Sequence, residues 1–144
     1  MKILISRIDK GSVKVEGEVR ASIEKGLAVF VGIESGDTES TLITASEKVV
    51  NTRLFAGNSG KLSQSVKEKG YSILCIPNFT LCASTKKGRR PSFEKAMQPD
   101  AAKKMFAKFI VLLQNKINVQ SGVFGADMAI NIELNGPVNI VLEI

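Results

Sequence analysis

The sequence predicts an α+β fold, mostly antiparallel sheet with two helices, in one domain spanning 1–144. Three observations predict it. Short apolar runs of strand length outnumber helical segments. Two stretches carry apolar residues at helical spacing. No βαβ alternation, internal repeat or linker divides the chain, and 144 residues suffice for one real core.

The elements follow in order. KILISRI (2–8) places Ile3 and Ile5 on one side, although Leu4 blurs the alternation. SVKVEGEVRASI then reads as two short strands turning at Glu16-Gly17, a hairpin signal. LAVFVGI (27–33) is a continuous apolar run, as expected of a central strand covered on both faces. From Thr38 to Val50, Leu42, Ile43, Ala45, Val49 and Val50 fall at helical spacing, with Asp37 as the expected N-cap. Gly57-Asn58-Ser59-Gly60 is a loop. YSILCIPNFTL (71–81) is strand-like until Pro77, which removes a ladder donor and belongs at an edge, a bulge or a strand end. Pro99 opens a second helix, whose apolar face runs through Ala102, Met105, Phe106, Phe109, Ile110 and Leu113. Three strands are expected to close the chain, at 118–123, 128–133 and 138–144, the last with Val138, Ile140, Leu142 and Ile144 on one face.

Composition excludes several chemistries. There is no histidine, so neither a Ser-His-Asp nor a Cys-His device can exist. Cys75 and Cys82 alone cannot supply the four ligands of a zinc site; no metal or cofactor is expected. In a chain read as a cytoplasmic protein without a secretion signal, they are two small buried residues rather than a disulfide. No Walker loop or G-x-G-x-x-G occurs, and the carboxylates are scattered. No apolar run approaches the ~18 residues that span a bilayer. Thr80 has no evident base, and an unactivated threonine is a poor nucleophile at neutral pH. An enzyme built from this chain must work by positioning and by preorganised donors. Such a donor contributes about 3 kcal/mol against a developing oxyanion. The net charge of +6 favours polyanionic partners, and its densest cluster is Lys86, Lys87, Arg89 and Arg90 around Gly88. A solvated turn is the plain alternative there.

FTLCASTKKGRRPSF (79–93), VQSGVFGADM (119–128) and NGPVNIVLE (135–143) together resemble the D-aminoacyl-tRNA deacylases, and the likeness covers the whole chain. The resemblance implies a layered β/β/α sandwich and hydrolysis of the ester between a D-amino acid, or glycine, and the 3′-terminal adenosine of tRNA. It implies a homodimer with active sites at the interface. The segment Pro77 to Leu81, with Asn78, Phe79 and Thr80, would line the pocket and carry the chemistry through backbone amides near the threonine, with help from the terminal ribose 2′-hydroxyl. Pro77, Ala126, Met128 and Asn139 would contact substrate. Gly136-Pro137, joined by a cis peptide, would enter the partner's pocket and reject L-amino acids, braced by Arg7. Lys86, Lys87, Arg89 and Arg90 would meet the tRNA phosphates.

Four positions depart from the family pattern. Its Ser-Gln is Pro77-Asn78 here, one methylene shorter at the second residue. Asn139 replaces the threonine usual after Gly-Pro-Val. Leu134 stands where the asparagine two residues before the glycine is usual, with Asn135 next to Gly136. Ser6 stands where glutamine is common. Pro77 and the Asn-Gly-Pro order are similar to the animal-type deacylases that remove L-alanine from a threonine tRNA, but Phe79 and KKGRRPSF argue against that branch. Two further readings are therefore carried: a deacylase of shifted specificity, and a weak paralogue that only binds a tRNA acceptor end or a nucleotide.

Overall fold

The computed structural model describes residues 1–57, 60–86 and 88–144. The element order is β1 (Lys2–Val15), β2 (Glu18–Ile23), β3 (Gly26–Gly32), α1 (Glu39–Asn51), β4 (Arg53–Ala56), β5 (Leu62–Ser65), β6 (Ser72–Pro77), a 3-10 helix (Phe79–Cys82), α2 (Pro99–Gln114), β7 (Val119–Ser121) and β8 (Ala129–Glu143). One six-stranded sheet runs β2-β1-β3-β6-β7, with β8 paired along the other edge of β1; β4 and β5 form a separate ribbon.

The α+β class stands, with antiparallel pairing at β1-β2, β1-β3, β1-β8 and β4-β5. The expected lack of βαβ alternation is corrected. β3 pairs β6 in parallel across a crossover that contains α1, and β6 pairs β7 in parallel across α2. Parallel neighbours require such long returns. The β4-β5 ribbon is too short and too polar to announce itself in sequence, and it disguised the first crossover.

Three boundaries also move. The strands expected at 2–8 and after Ser12 are one strand, β1, which turns into β2 through Glu16 (φ 53°) and Gly17 (φ 81°). Positive φ at both central residues is the type I′ hairpin geometry that matches strand twist. The last two expected strands merge as β8. The N-cap of α1 is Thr38 and not Asp37: the Thr38 hydroxyl accepts from Thr41 N, and Thr38 N donates to Thr41 Oγ1 at 3.1 Å. Asp37 is drawn away because its carboxylate accepts from the Met1 amine at 2.7 Å and from Glu34 N at 2.7 Å.

β3 is covered on both faces, as its apolar run predicts. Leu27, Val29 and Val31 join a core with Leu42, Ala45, Val49 and Val50 of α1 and Phe106, Phe109 and Leu113 of α2. Ala28 faces a smaller core with Ile8, Val13, Ala21, Ile23, Leu74 and Ile76. Ile8 and Val13 share that core although five residues apart, because a bulge at Asp9 reverses the alternation of β1. Lys108–Glu39 and Lys116–Glu47 (2.6 Å) tie α2 to α1 across the surface. Cys75 and Cys82 are both free and buried. No helix among the described residues is long and apolar enough to cross a membrane.

Candidate active site

Pro77 ends β6, and the chain immediately tightens into the 3-10 helix. Asn78 N donates to Val31 O at 2.7 Å, so this turn is fastened to the central strand. The fit requires Gly32. A Cβ there would lie 2.9 Å from Cys82 Sγ and 3.1 Å from Asn78 O. Asn78 caps the helix by accepting from Thr80 N at 3.2 Å, and the same Oδ1 accepts from the Thr80 hydroxyl. A carboxamide oxygen is no base, so the Thr80 proton has nowhere to go along that bond. Neither thiol offers an alternative nucleophile: burial pushes both the Cys75 and the Cys82 thiols above their ordinary range.

Beside this turn lies a cavity of about 390 Å³. Asn78, Phe79 and Pro77 form one wall, Phe93, Met97 and Phe106 another, with Phe124 and Gly125 closing it. Phe79 and Phe93 meet edge to face at 5.1 Å between centroids, yet Phe79 remains 59% exposed. None of the lining side chains is ionisable. The site therefore offers apolar and aromatic surface, neutral amide donors, and no acid or base. Among the described residues no cluster of three metal-ligating side chains exists.

The basic segment hangs at the mouth of this cavity. Ser84 and Ser92 exchange backbone hydrogen bonds of 2.8 Å in both directions, closing a loop one residue before Phe93. Lys86, Arg89 and Arg90 project from it, exposed, with no carboxylate partner among the described residues; Lys87 lies outside the described residues. Gly88 adopts φ 112°, as the loop expectation requires.

Gly136-Pro137 lies elsewhere. Ser6 pairs with Asn139 and Ile8 with Leu134, so the residues from Asn135 to Val138 stand opposite Arg7 alone. Proline lacks the ladder donor, and the chain loops out there. The Gly136-Pro137 peptide is cis, with Gly136 at φ 138°. Arg7 Nε donates to Asn135 O at 3.2 Å and Nη1 to Leu54 O at 2.8 Å, which ties the bulge to β4. On the other side Asn135 Nδ2 donates to Asp9 at 2.8 Å. Gly136 and Pro137 are exposed and do not reach the cavity of their own chain; nor do Arg7 and Asn139. Ala126 and Met128 lie just beyond the lining residue Gly125, and Met128 packs at Gly122 against the smaller core.

Sequence reasoning thus assembled Pro77, Asn78 and Phe79 correctly in one wall, with Thr80 on the same turn. It missed Phe93, Phe106 and Phe124 as lining residues. Phe93 and Phe124 sit inside the two most distinctive motifs, which was the available signal; Phe106 had none beyond its helical face.

Fold and cavity together define the class: a protein with a crossover-containing mixed sheet and a neutral, aromatic-walled pocket beside an amide-rich turn. Residues 4–143 match the D-Tyr-tRNA(Tyr) deacylase family. A D-aminoacyl-tRNA deacylase of Carboxydothermus hydrogenoformans is 41% identical over 145 residues, covering 100% of both chains. The solved structure of a c-Myc DNA unwinding element binding protein superposes with a TM-score of 0.95 at 37% identity, covering 99% of this chain and 98% of that one. A probable eukaryotic D-amino acid tRNA deacylase gives 0.85 at 20% identity over the same shares, a likeness of fold. The chain belongs to the D-Tyr-tRNA(Tyr) deacylase family.

Proposed function

We propose that this protein is a D-aminoacyl-tRNA deacylase, a hydrolase that cleaves the ester between a D-amino acid and the terminal adenosine of tRNA. The observation that carries the reading is a pocket with aromatic walls, neutral donors at its edge and no ionisable side chain. An aminoacyl ester is already reactive; it needs orientation and oxyanion stabilisation more than a strong base. Phe79, Phe93 and Phe124 offer faces on which a base can stack. The unpaired cations at the mouth suit the RNA backbone. In this reading the ribose 2′-hydroxyl, vicinal to the ester, supplies the proton relay that no side chain offers.

The active unit is a homodimer. The Gly136-Pro137 bulge projects away from its own cavity, and Leu134 and Val141 expose apolar surface on the same strand, Val141 at 63%. A second copy covering that face would bring one protomer's bulge to the other's pocket. A main-chain wedge rejects L-enantiomers whatever the side chain, because it offers no side-chain contacts to select among amino acids.

Deacylation of D-tyrosyl-, L-tyrosyl-, glycyl- and L-alanyl-tRNA tests the reading. Rapid release from the D-substrate, slower release from glycyl-tRNA and none from the L-substrates is expected. Preferential release of L-alanine would mark a shifted specificity. Tight tRNA binding without any hydrolysis would reduce the protein to a binder.

A further inference from the structure

Asn78 holds the Thr80 amide with its side-chain oxygen. That assignment is not a matter of choice between O and N: a backbone N–H can only donate, so the atom facing it must be Oδ1. The Thr80 hydroxyl gives its proton to the same oxygen. Two consequences follow. The Thr80 amide and hydroxyl are both engaged and are not free to meet a substrate. The Nδ2 group, at the opposite end of a rigid planar amide whose oxygen is pinned, has no acceptor among the described residues, and Asn78 lines the cavity. The Phe79 amide opens the 3-10 helix, where first-turn N–H groups have no intrahelical acceptor.

Resting on the deacylase reading above, we propose that Asn78 Nδ2 is a catalytic hydrogen-bond donor to the scissile carbonyl oxygen, acting together with the Phe79 amide, while Thr80 serves to orient Asn78. Water adds to the ester carbonyl carbon and the C=O electron pair moves onto oxygen, where these two donors meet it. Collapse of the adduct re-forms C=O and expels the ribose 3′-oxygen, which takes up the proton that the attacking water loses. The side chain thus replaces, with a neutral donor, the Thr80 amide that it occupies.

Asn78→Asp separates this role from capping. The carboxylate is nearly isosteric and caps as well as Asn, but it has no N–H. Against D-tyrosyl-tRNA, kcat should fall by about 10²- to 10³-fold, with KM and the thermal midpoint near the parent values. Asn78→Gln keeps a donor and should recover a large part of the loss. Parent-like kcat in Asn78→Asp, or equal losses in both variants, would leave Asn78 as a helix cap and overturn the proposal. A second readout needs no variant. On binding a non-hydrolysable D-aminoacyl amide of 3′-amino-3′-deoxyadenosine, one Asn78 side-chain NH2 proton should move downfield in 15N-edited NMR; an unmoved pair contradicts the assignment. If the parent itself fails to hydrolyse D-tyrosyl-tRNA, it is the deacylase reading that falls, and the two failures remain distinguishable.

Discussion

Two short segments of this chain do comparable work in opposite settings. The turn at Asn78–Cys82 and the bulge at Asn135–Val138 both present main-chain groups rather than charged side chains. The turn is locked from below: Asn78 N is bonded to Val31, Cys82 is buried, and Gly32 admits the close approach. The bulge is held from one side only, by Arg7 and Asp9, and its outer surface is open. One segment is finished by its own core; the other is finished, in the proposed dimer, by a second copy. A filter for chirality and a pocket for the ester can thus be encoded in one chain without obstructing each other, because they meet only on assembly.

The largest way to break that pairing is at Gly136. At φ 138°, an alanine is strained, and its Cβ would lie 2.5 Å from Val138 N. Gly136→Ala should leave the core folded, lower D-substrate turnover by about 10²-fold through misplacement of the wedge, and make hydrolysis of L-tyrosyl-tRNA measurable. Unaltered discrimination between enantiomers would detach the bulge from stereochemistry.

A middle-sized effect is expected at the mouth of the pocket. The double variant Lys86→Glu/Arg89→Glu should raise KM for aminoacyl-tRNA and flatten the salt dependence of binding by about 0.7 per lost phosphate contact, the single-strand value. Its kcat at saturating substrate should stay close to the parent's. A salt slope identical to the parent's would make the loop a plain solvated turn.

The smallest effect concerns how the turn side of the molecule is anchored. The Met1 amine bonds Asp37 and Glu34 (3.1 Å), and Glu34 bridges to Ala96 beside the cavity. Burial, the largest single influence, lowers the amine's pKa, but the combined hydrogen bonds and charges of Asp37 and Glu34 outweigh it and leave the pKa raised above 8.0. A cation favoured by folding stabilises fully below its unfolded pKa, and that contribution is lost as pH rises through the folded value. Thermal midpoints should therefore decline modestly as pH climbs above 8.0, and Asp37→Asn should flatten that decline. A parent curve that is flat there would show that the amine contributes nothing.

Much of this was legible in the sequence because it depends on local pattern. The apolar run of LAVFVGI required a strand covered on both faces. Pro77 required a strand end, Pro99 a helix start, and Glu16-Gly17 a tight hairpin; each is a constraint on φ or on a missing donor that acts within a few residues. The lack of histidine excluded whole mechanisms outright. Tertiary structure alone decided the rest. Asp37 loses its capping role to Thr38 because an amine from the far end of the core competes for its carboxylate. The parallel pairing of β3, β6 and β7 depends on which distant strands exchange hydrogen bonds, information that no local period carries. Phe106 becomes a pocket wall only because α2 packs beside the turn. The loop-out of Asn135–Val138 against Arg7 is a mismatch in register between strands more than a hundred residues apart in sequence. Such a mismatch belongs to the pair of strands and to neither one alone.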